Sequence, residues 1–195
     1  MRKKCYHFFG GLLNAQANWL NKMSEKGYRL IRAGKMLYEF EECKPNEVKY
    51  CVEFIGEKSK ENAKDYSLFL EDMGYKVFFK NINLNYSVGK GRSRPWAEKG
   101  GRIATNTTTF NRELLIVEKE NDGKPFELHT SYDDKEKYYR NLRNPWLFLL
   151  LMFALFAVTK QSIIFGIFAL VSVIPGSIYQ IQIMKIRKEA KTQEW

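Results

Sequence analysis

Acidic residues, histidine and arginine are all missing from the longest apolar stretch of the chain. From Trp146 to Met184 it reads WLFLLLMFALFAVTKQSIIFGIFALVSVIPGSIYQIQIM, thirty-nine residues in which Lys160 is the one formal charge. Such a stretch lacks the ionisable groups that mark ion and proton pathways through a membrane. Cysteine is scarce as well, and the three scattered thiols Cys5, Cys43 and Cys51 exclude a disulfide framework and a cysteine zinc site. The two histidines, His7 and His129, stand far apart, so a structural or solvated imidazole is the plainer reading of each. Around Lys90-Gly91 the GxxxxGK[ST] spacing that cradles phosphate is absent, and no serine sits in a nucleophile elbow. The carboxylate pairs Glu41-Glu42 and Asp133-Asp134 fall at expected strand ends and caps, where they meet a helix dipole or water. No enzyme, cofactor or metal site is expected. The start MRKKCYHFFGGLLN is basic but has no apolar run of signal-peptide length, so no cleaved secretory signal is expected and the front domain is placed in the cytoplasm.

What is present is a membrane hairpin. Ser162 to Met184 gives twenty-three consecutive uncharged residues, against the about 20 that a helix needs to cross a hydrocarbon core of roughly 30 Å. The first arm, Trp146 to Val158, is only thirteen residues long. It crosses with the help of Asn144-Pro145 above it, a snorkelling Lys160 below it and local bilayer thinning. The competing reading, a buried hairpin in a soluble core, is disfavoured because neither arm has a polar stripe. Arg140 and Arg143 precede the hairpin and Lys185, Arg187, Lys188 and Lys191 follow it, so positive-inside counting puts both ends in the cytoplasm. Tyr138, Tyr139, Arg143, Trp146, Lys160, Lys185, Arg187 and Lys188 are the expected interface anchors.

Ahead of the membrane the chain alternates helix and strand. Ala15, Trp19, Leu20 and Met23 recur at helical spacing and end at Gly27, after which Tyr28 to Arg32 and Met36 to Phe40 read as strands about Gly34-Lys35. Val48 to Phe54 is the clearest half-buried strand. A second helix, capped by Ser59 or Asn62, presents Ala63, Tyr66, Phe69, Leu70 and Met73 and ends at Gly74, followed by strands at Tyr75 to Phe79 and Ile82 to Val88. Met73-Gly74-Tyr75 echoes the Gly27-Tyr28 exit of the first helix. Glu113 to Lys119 and Phe126 to Ser131 flank Asn121-Asp122-Gly123-Lys124, a hairpin signal. The expected class is therefore α+β, an antiparallel sheet with two helices on one face in αβββ-αββ order, followed by a two-helix transmembrane hairpin. Its expected segments are residues 1–90 as the cytoplasmic domain, 91–132 as a basic loop and β-hairpin extension, 133–145 as a juxtamembrane helix, 146–184 as the hairpin and 185–195 as a basic tail.

The formal charge is +10, about +7 of it ahead of the hairpin. Beside an anionic leaflet each well-placed cation is worth about 1 kcal/mol, which favours membrane lipid over nucleic acid as the partner. Lys90, Arg92, Arg94, Lys99 and Arg102 surround Trp96, and these six form the candidate surface for lipid or protein contact. A solvated loop with one tucked aromatic is the bland alternative.

Trp19-Leu20, Met23, Gly27-Tyr28 and Leu30, then Phe40, Pro45 and Tyr50, resemble a bacterial family known as domain of unknown function 2812, found largely in Firmicutes. The resemblance covers about residues 8 to 80, and Tyr28 stands where many relatives carry Trp. It implies no established activity, membrane helices after the domain, and genes placed beside PadR-type regulators, which makes such a regulator a partner to test. Two functions follow as expectations. The first is a membrane-anchored cytoplasmic sensory or protein-interaction domain, regulatory and non-catalytic. The second is a small membrane accessory protein, a transporter subunit or self-protection factor, acting through the hairpin.

Overall fold

The computed structural model describes residues 2–56, 58–82, 86–88, 91–93, 103–104, 113–128 and 132–193. They divide into two compact units, one formed by the strands and short helices ahead of His129 and one by the two long C-terminal helices.

The first unit repeats one design. In its first half, strand β1 (Arg2–Tyr6) leads to helix α1 (Leu13–Glu25), strand β2 (Tyr28–Ala33) and strand β3 (Leu37–Glu42), with β3 between the other two and antiparallel to both. The second half has β4 (Val48–Phe54), α2 (Lys60–Asp72), β5 (Lys76–Lys80) and, after an excursion through three short paired strands β6 (Tyr86–Val88), β7 (Gly91–Ser93) and β8 (Ile103–Ala104), the strand β9 (Leu114–Glu120). There β9 takes the middle place between β4 and β5, again antiparallel to both. Each half is a split β-α-β unit closed by a central third strand.

Both helices stop in the same way. Gly27 and Gly74 adopt positive φ of 78° and 85°, the left-handed turn that a side chain resists. Counting back from each glycine by four, seven and eleven residues gives Met23, Leu20 and Gln16 in α1 and Leu70, Ser67 and Ala63 in α2, all buried. Ser59 caps α2, its hydroxyl accepting from the Asn62 N–H at 3.1 Å. The α2 face differs from the expected one in two positions, since Phe69 and Met73 are exposed. At about 100° per residue they fall off the stripe through Ala63, Ser67 and Leu70.

The α+β class, the antiparallel pairing and the C-terminal hairpin hold, but among the described residues two main three-stranded sheets, with the small β6-β7-β8 sheet as a third, replace the single expected one. Strand β9, which the sequence placed in a hairpin extension, lies at the centre of the second sheet. Its residues Leu114, Leu115, Ile116, Val117 and Glu118 are all buried, the mark of a strand covered on both faces. Leu115 and Val117 pack with Ile55, Ala63 and Leu70 under α2. The expected partner strand at Phe126 to Ser131 does not form among the described residues. With β4 and β5 holding both edges of β9, residues 125–128 run as coil, and Phe126 and Leu128 pack on that core instead.

Polar side chains tie the halves together. Asn21 of α1 uses its amide as a strand would, donating to the Tyr50 carbonyl at 3.1 Å and accepting from the Tyr50 N–H at 2.7 Å. The Ser24 hydroxyl donates to the Val48 carbonyl at 2.6 Å. Helix α1 thereby covers the open edge of β4, an edge that would otherwise invite pairing with another chain. Deeper in, the Tyr50 hydroxyl accepts from the Leu30 N–H at 2.8 Å and donates to Glu118 at 2.7 Å, while Arg29 clamps the other Glu118 oxygen at 2.7–2.8 Å. Every member of this buried network is paired, so it locks β2, β4 and β9 together. Burial beside the Glu118 carboxylate pushes the Tyr50 phenol well above its usual range.

In the second unit, α3 (Tyr132–Thr159) and α4 (Ile163–Gln193) pack as an antiparallel pair about the turn at Lys160–Ser162. The juxtamembrane helix and first arm expected as separate segments are one continuous helix with Pro145 inside it, and α4 likewise carries Pro175 and continues to Gln193. Ala169, Ser172, Gly176, Tyr179, Ile183 and Ile186 are the buried positions of α4, spaced alternately by three and four residues. That is the seam of a left-handed helix pair.

Candidate functional site

Two places in the molecule concentrate unusual chemistry, and the first is the outer surface of the helix pair. Leu151, Leu155 and Val158 of α3 and Ile163, Leu170 and Ile174 of α4 are each between 62% and 82% exposed. Isolated exposed leucines are ordinary, but a continuous apolar sleeve around two helices is not. Both helices are long and apolar enough to span a membrane. Their packing sets how much of each arm shares one depth. A side chain on Gly176 would meet Trp146 at 3.8 Å, and the Phe153 ring lies 5.4 Å from that of Phe168. Trp146 to Val158 is therefore matched by Ile163 to Gly176, about 20 Å of apolar height at 1.5 Å per residue. The remaining apolar residues of α4, through Met184, stand level with the part of α3 that carries Arg140, Asn141, Arg143 and Asn144.

At that end the hairpin carries a charged collar. Arg143 donates to Gln180 at 2.7 Å and to Asn144 at 2.8 Å. About two turns further out, Glu136 bridges Arg187 of the other helix at 2.7 Å and also pairs with Arg140. The hydrogen bond from Arg187 holds the Glu136 carboxyl below its ordinary range. Tyr138, Tyr139 and Leu142 are buried, with the Tyr139 ring 6.5 Å from Tyr179. An open, mostly apolar groove of ≈ 500 Å³ runs along one side of the pair from Met184 and Arg143 to Leu150 and Ser172.

The sequence-selected residues thus separate. Tyr138 and Tyr139 are packed inward rather than laid open, Trp146 is half-buried against Gly176, and Arg143 is shared between Gln180 and Asn144. Lys160 at the turn and Lys185, Arg187 and Lys188 near the end of α4 are exposed. Of the basic candidates, Lys90, Arg94, Trp96, Lys99 and Arg102 lie outside the described residues. Arg92 is placed by its backbone alone, in β7 opposite Ser87 and Ala104.

The second place is a narrow cavity in the first unit, which no local sequence pattern announces. It is lined by His7, Gln16, Lys35, Tyr38, Lys80 and Asn81 together with apolar neighbours, and has ≈ 10 Å³ for the centre of a water-sized sphere. Lys80, at the end of β5, is 5% exposed and donates to the carbonyls of Gly34 and Lys35 at 2.8 and 2.5 Å. Its ammonium also sits 4.7 Å from the centre of the Tyr38 ring, an arrangement that favours a cation. Burial lowers the Lys80 pKa to about 8. Among the described residues no group of three or more His, Cys, Asp or Glu is placed to hold a metal ion.

A family model described as "Protein of unknown function (DUF2812)" matches residues 13–151, from the start of α1 to a point inside α3. Comparison with curated proteins and with solved structures finds no match to either.

Proposed function

The chain belongs to the DUF2812 family, and from that premise we propose that it is a membrane-anchored cytoplasmic domain that senses or binds a partner and has no catalytic role. The apolar sleeve of α3 and α4 carries this reading, because its exposed side chains need a solvent other than water. In this reading the hairpin crosses the bilayer with both ends in the cytoplasm. The matched height of about 20 Å is reconciled with a thicker core by snorkelling of Lys160 and by thinning, at a fraction of a kcal/mol per Å. Arg143, Arg187 and the lysines near them meet anionic headgroups at the inner surface, and membrane lipid is the first partner.

A protein partner is the second. Leu68, Phe69 and Met73 on the outer side of α2 are about half exposed, an apolar face suited to a docking segment. The alternative, a small accessory protein that acts through the hairpin, rests on the groove beside Arg143. Replacing residues 132–193 with an unrelated two-helix anchor separates the two. Crosslinked capture of the same protein partner by the chimera, a PadR-type regulator among those to look for, supports the anchored domain. Loss of capture with the chimera still in the membrane supports action through the hairpin.

A further inference from the structure

The cavity around Lys80 has buried donors that nothing in the protein answers. Its three most buried polar side chains are Gln16 at 1%, Tyr38 at 0% and Lys80 at 5% exposure. The Gln16 amide nitrogen and the Tyr38 hydroxyl are buried without a hydrogen-bond partner. Each such group costs about 1–3 kcal/mol if nothing answers it, so two on one cavity wall call for a shared acceptor. An amide N–H can only donate, a phenol donates readily, and an ammonium carries full positive charge. The lysine is held by two carbonyls and an aromatic face rather than by a carboxylate, so its charge is left for a ligand to neutralise.

Size selects among anions. With ≈ 10 Å³ of room for the centre of a water-sized sphere, the cavity suits a compact anion. From the cavity, its buried donors and the unneutralised lysine, we propose that the first unit binds one halide-sized monoanion, chloride in the cell, between Gln16, Tyr38 and Lys80. The ion joins elements from both halves of the unit, α1 and β3 from one and β5 from the other. It stabilises their packing independently of how the hairpin sits in lipid.

Thermal unfolding of the full chain in lipid nanodiscs tests this, followed at constant ionic strength as sodium chloride replaces sodium gluconate, whose anion is too bulky to enter. The expected result is a saturable rise in melting temperature with chloride, shared by bromide and missing with sulfate. Gln16→Met and Tyr38→Phe each remove one donor while keeping bulk, and should raise the half-saturating chloride concentration about tenfold, the loss of one hydrogen bond to a charged group. In gluconate the same variants should melt no lower than the parent, since each deletes an unanswered donor. Crystals grown in bromide should show its anomalous signal beside Lys80. Equal melting in chloride and gluconate, a chloride response untouched by both variants, or bromide bound elsewhere would each overturn the proposal in favour of a single trapped water.

Discussion

At the scale of single residues, what matters is which buried polar atoms are answered. Glu118 is fully answered by Arg29 and Tyr50 and acts as a lock. Lys80 differs, because burial lowers its pKa from 10.5 to about 8. Below pH 8 the ammonium is charged in folded and unfolded chains alike, and folding bears the whole cost of burying it. Between 8 and 10.5 the unfolded chain still holds the proton that the folded one has released, so stability rises with pH across that window. His7, Lys35 and Tyr38 share the cavity with Lys80. Burial raises the phenols of Tyr38, Tyr50 and Tyr66, so above pH 10 the unfolded chain sheds protons that the folded one keeps and the gain reverses. Urea unfolding in gluconate should show stability climbing from pH 7.5 to 9.5 by on the order of 1–3 kcal/mol, and Lys80→Met should flatten the climb. None of this was legible beforehand. Gln16, Tyr38 and Lys80 are separated in sequence, and each alone reads as an ordinary helix or strand residue.

At the scale of elements, the sequence speaks clearly where a local signal coincides with the tertiary one. The two Gly-Tyr exits are the plainest case, yet the glycines differ in their surroundings. A Cβ at Gly27 would stand 3.0 Å from the Cys43 carbonyl, whose residue also donates its N–H to the Gly27 carbonyl. At Gly74 it would meet nothing within 4 Å. Gly74→Ala should cost about 1–2 kcal/mol, the price of a left-handed alanine, and Gly27→Ala measurably more, as read by denaturant midpoints. Strand β9 shows why other elements stayed hidden. Leu114 to Val117 is apolar without alternation, which fits a strand buried on both faces but says nothing about its neighbours. The Asn121-Asp122-Gly123 turn does form, with Asn121 accepting from the Gly123 N–H and Asp122 from the Lys124 N–H. Among the described residues it leads to no paired strand, because β4 and β5 already occupy both edges of β9. In the hairpin, Gly176 lies against Trp146 whereas Gly166 has open space. Gly176→Leu should therefore loosen the α3–α4 seam, lowering its melting temperature in detergent by several degrees, and Gly166→Leu should leave it unchanged.

At the scale of the whole molecule, a duplicated α+β unit is joined in one chain to a pair of apolar helices, and the DUF2812 match runs through both, from α1 into α3. The apolar pair was the most legible feature because a run of uncharged residues needs no tertiary context to be recognised. Its depth needed the structure, since only the pairing of Trp146 with Gly176 reveals how little height the two arms share. The account stands on the tip of that hairpin reaching the far side of the bilayer. With Cys5, Cys43 and Cys51 replaced by serine, a single cysteine at Lys160 or at Lys191 can be probed in intact cells with a membrane-impermeant maleimide. Labelling at position 160 from outside, with position 191 labelled only after the cells are opened, is the result expected. A tip that stays unlabelled until the cells are opened would mean that the helices do not cross.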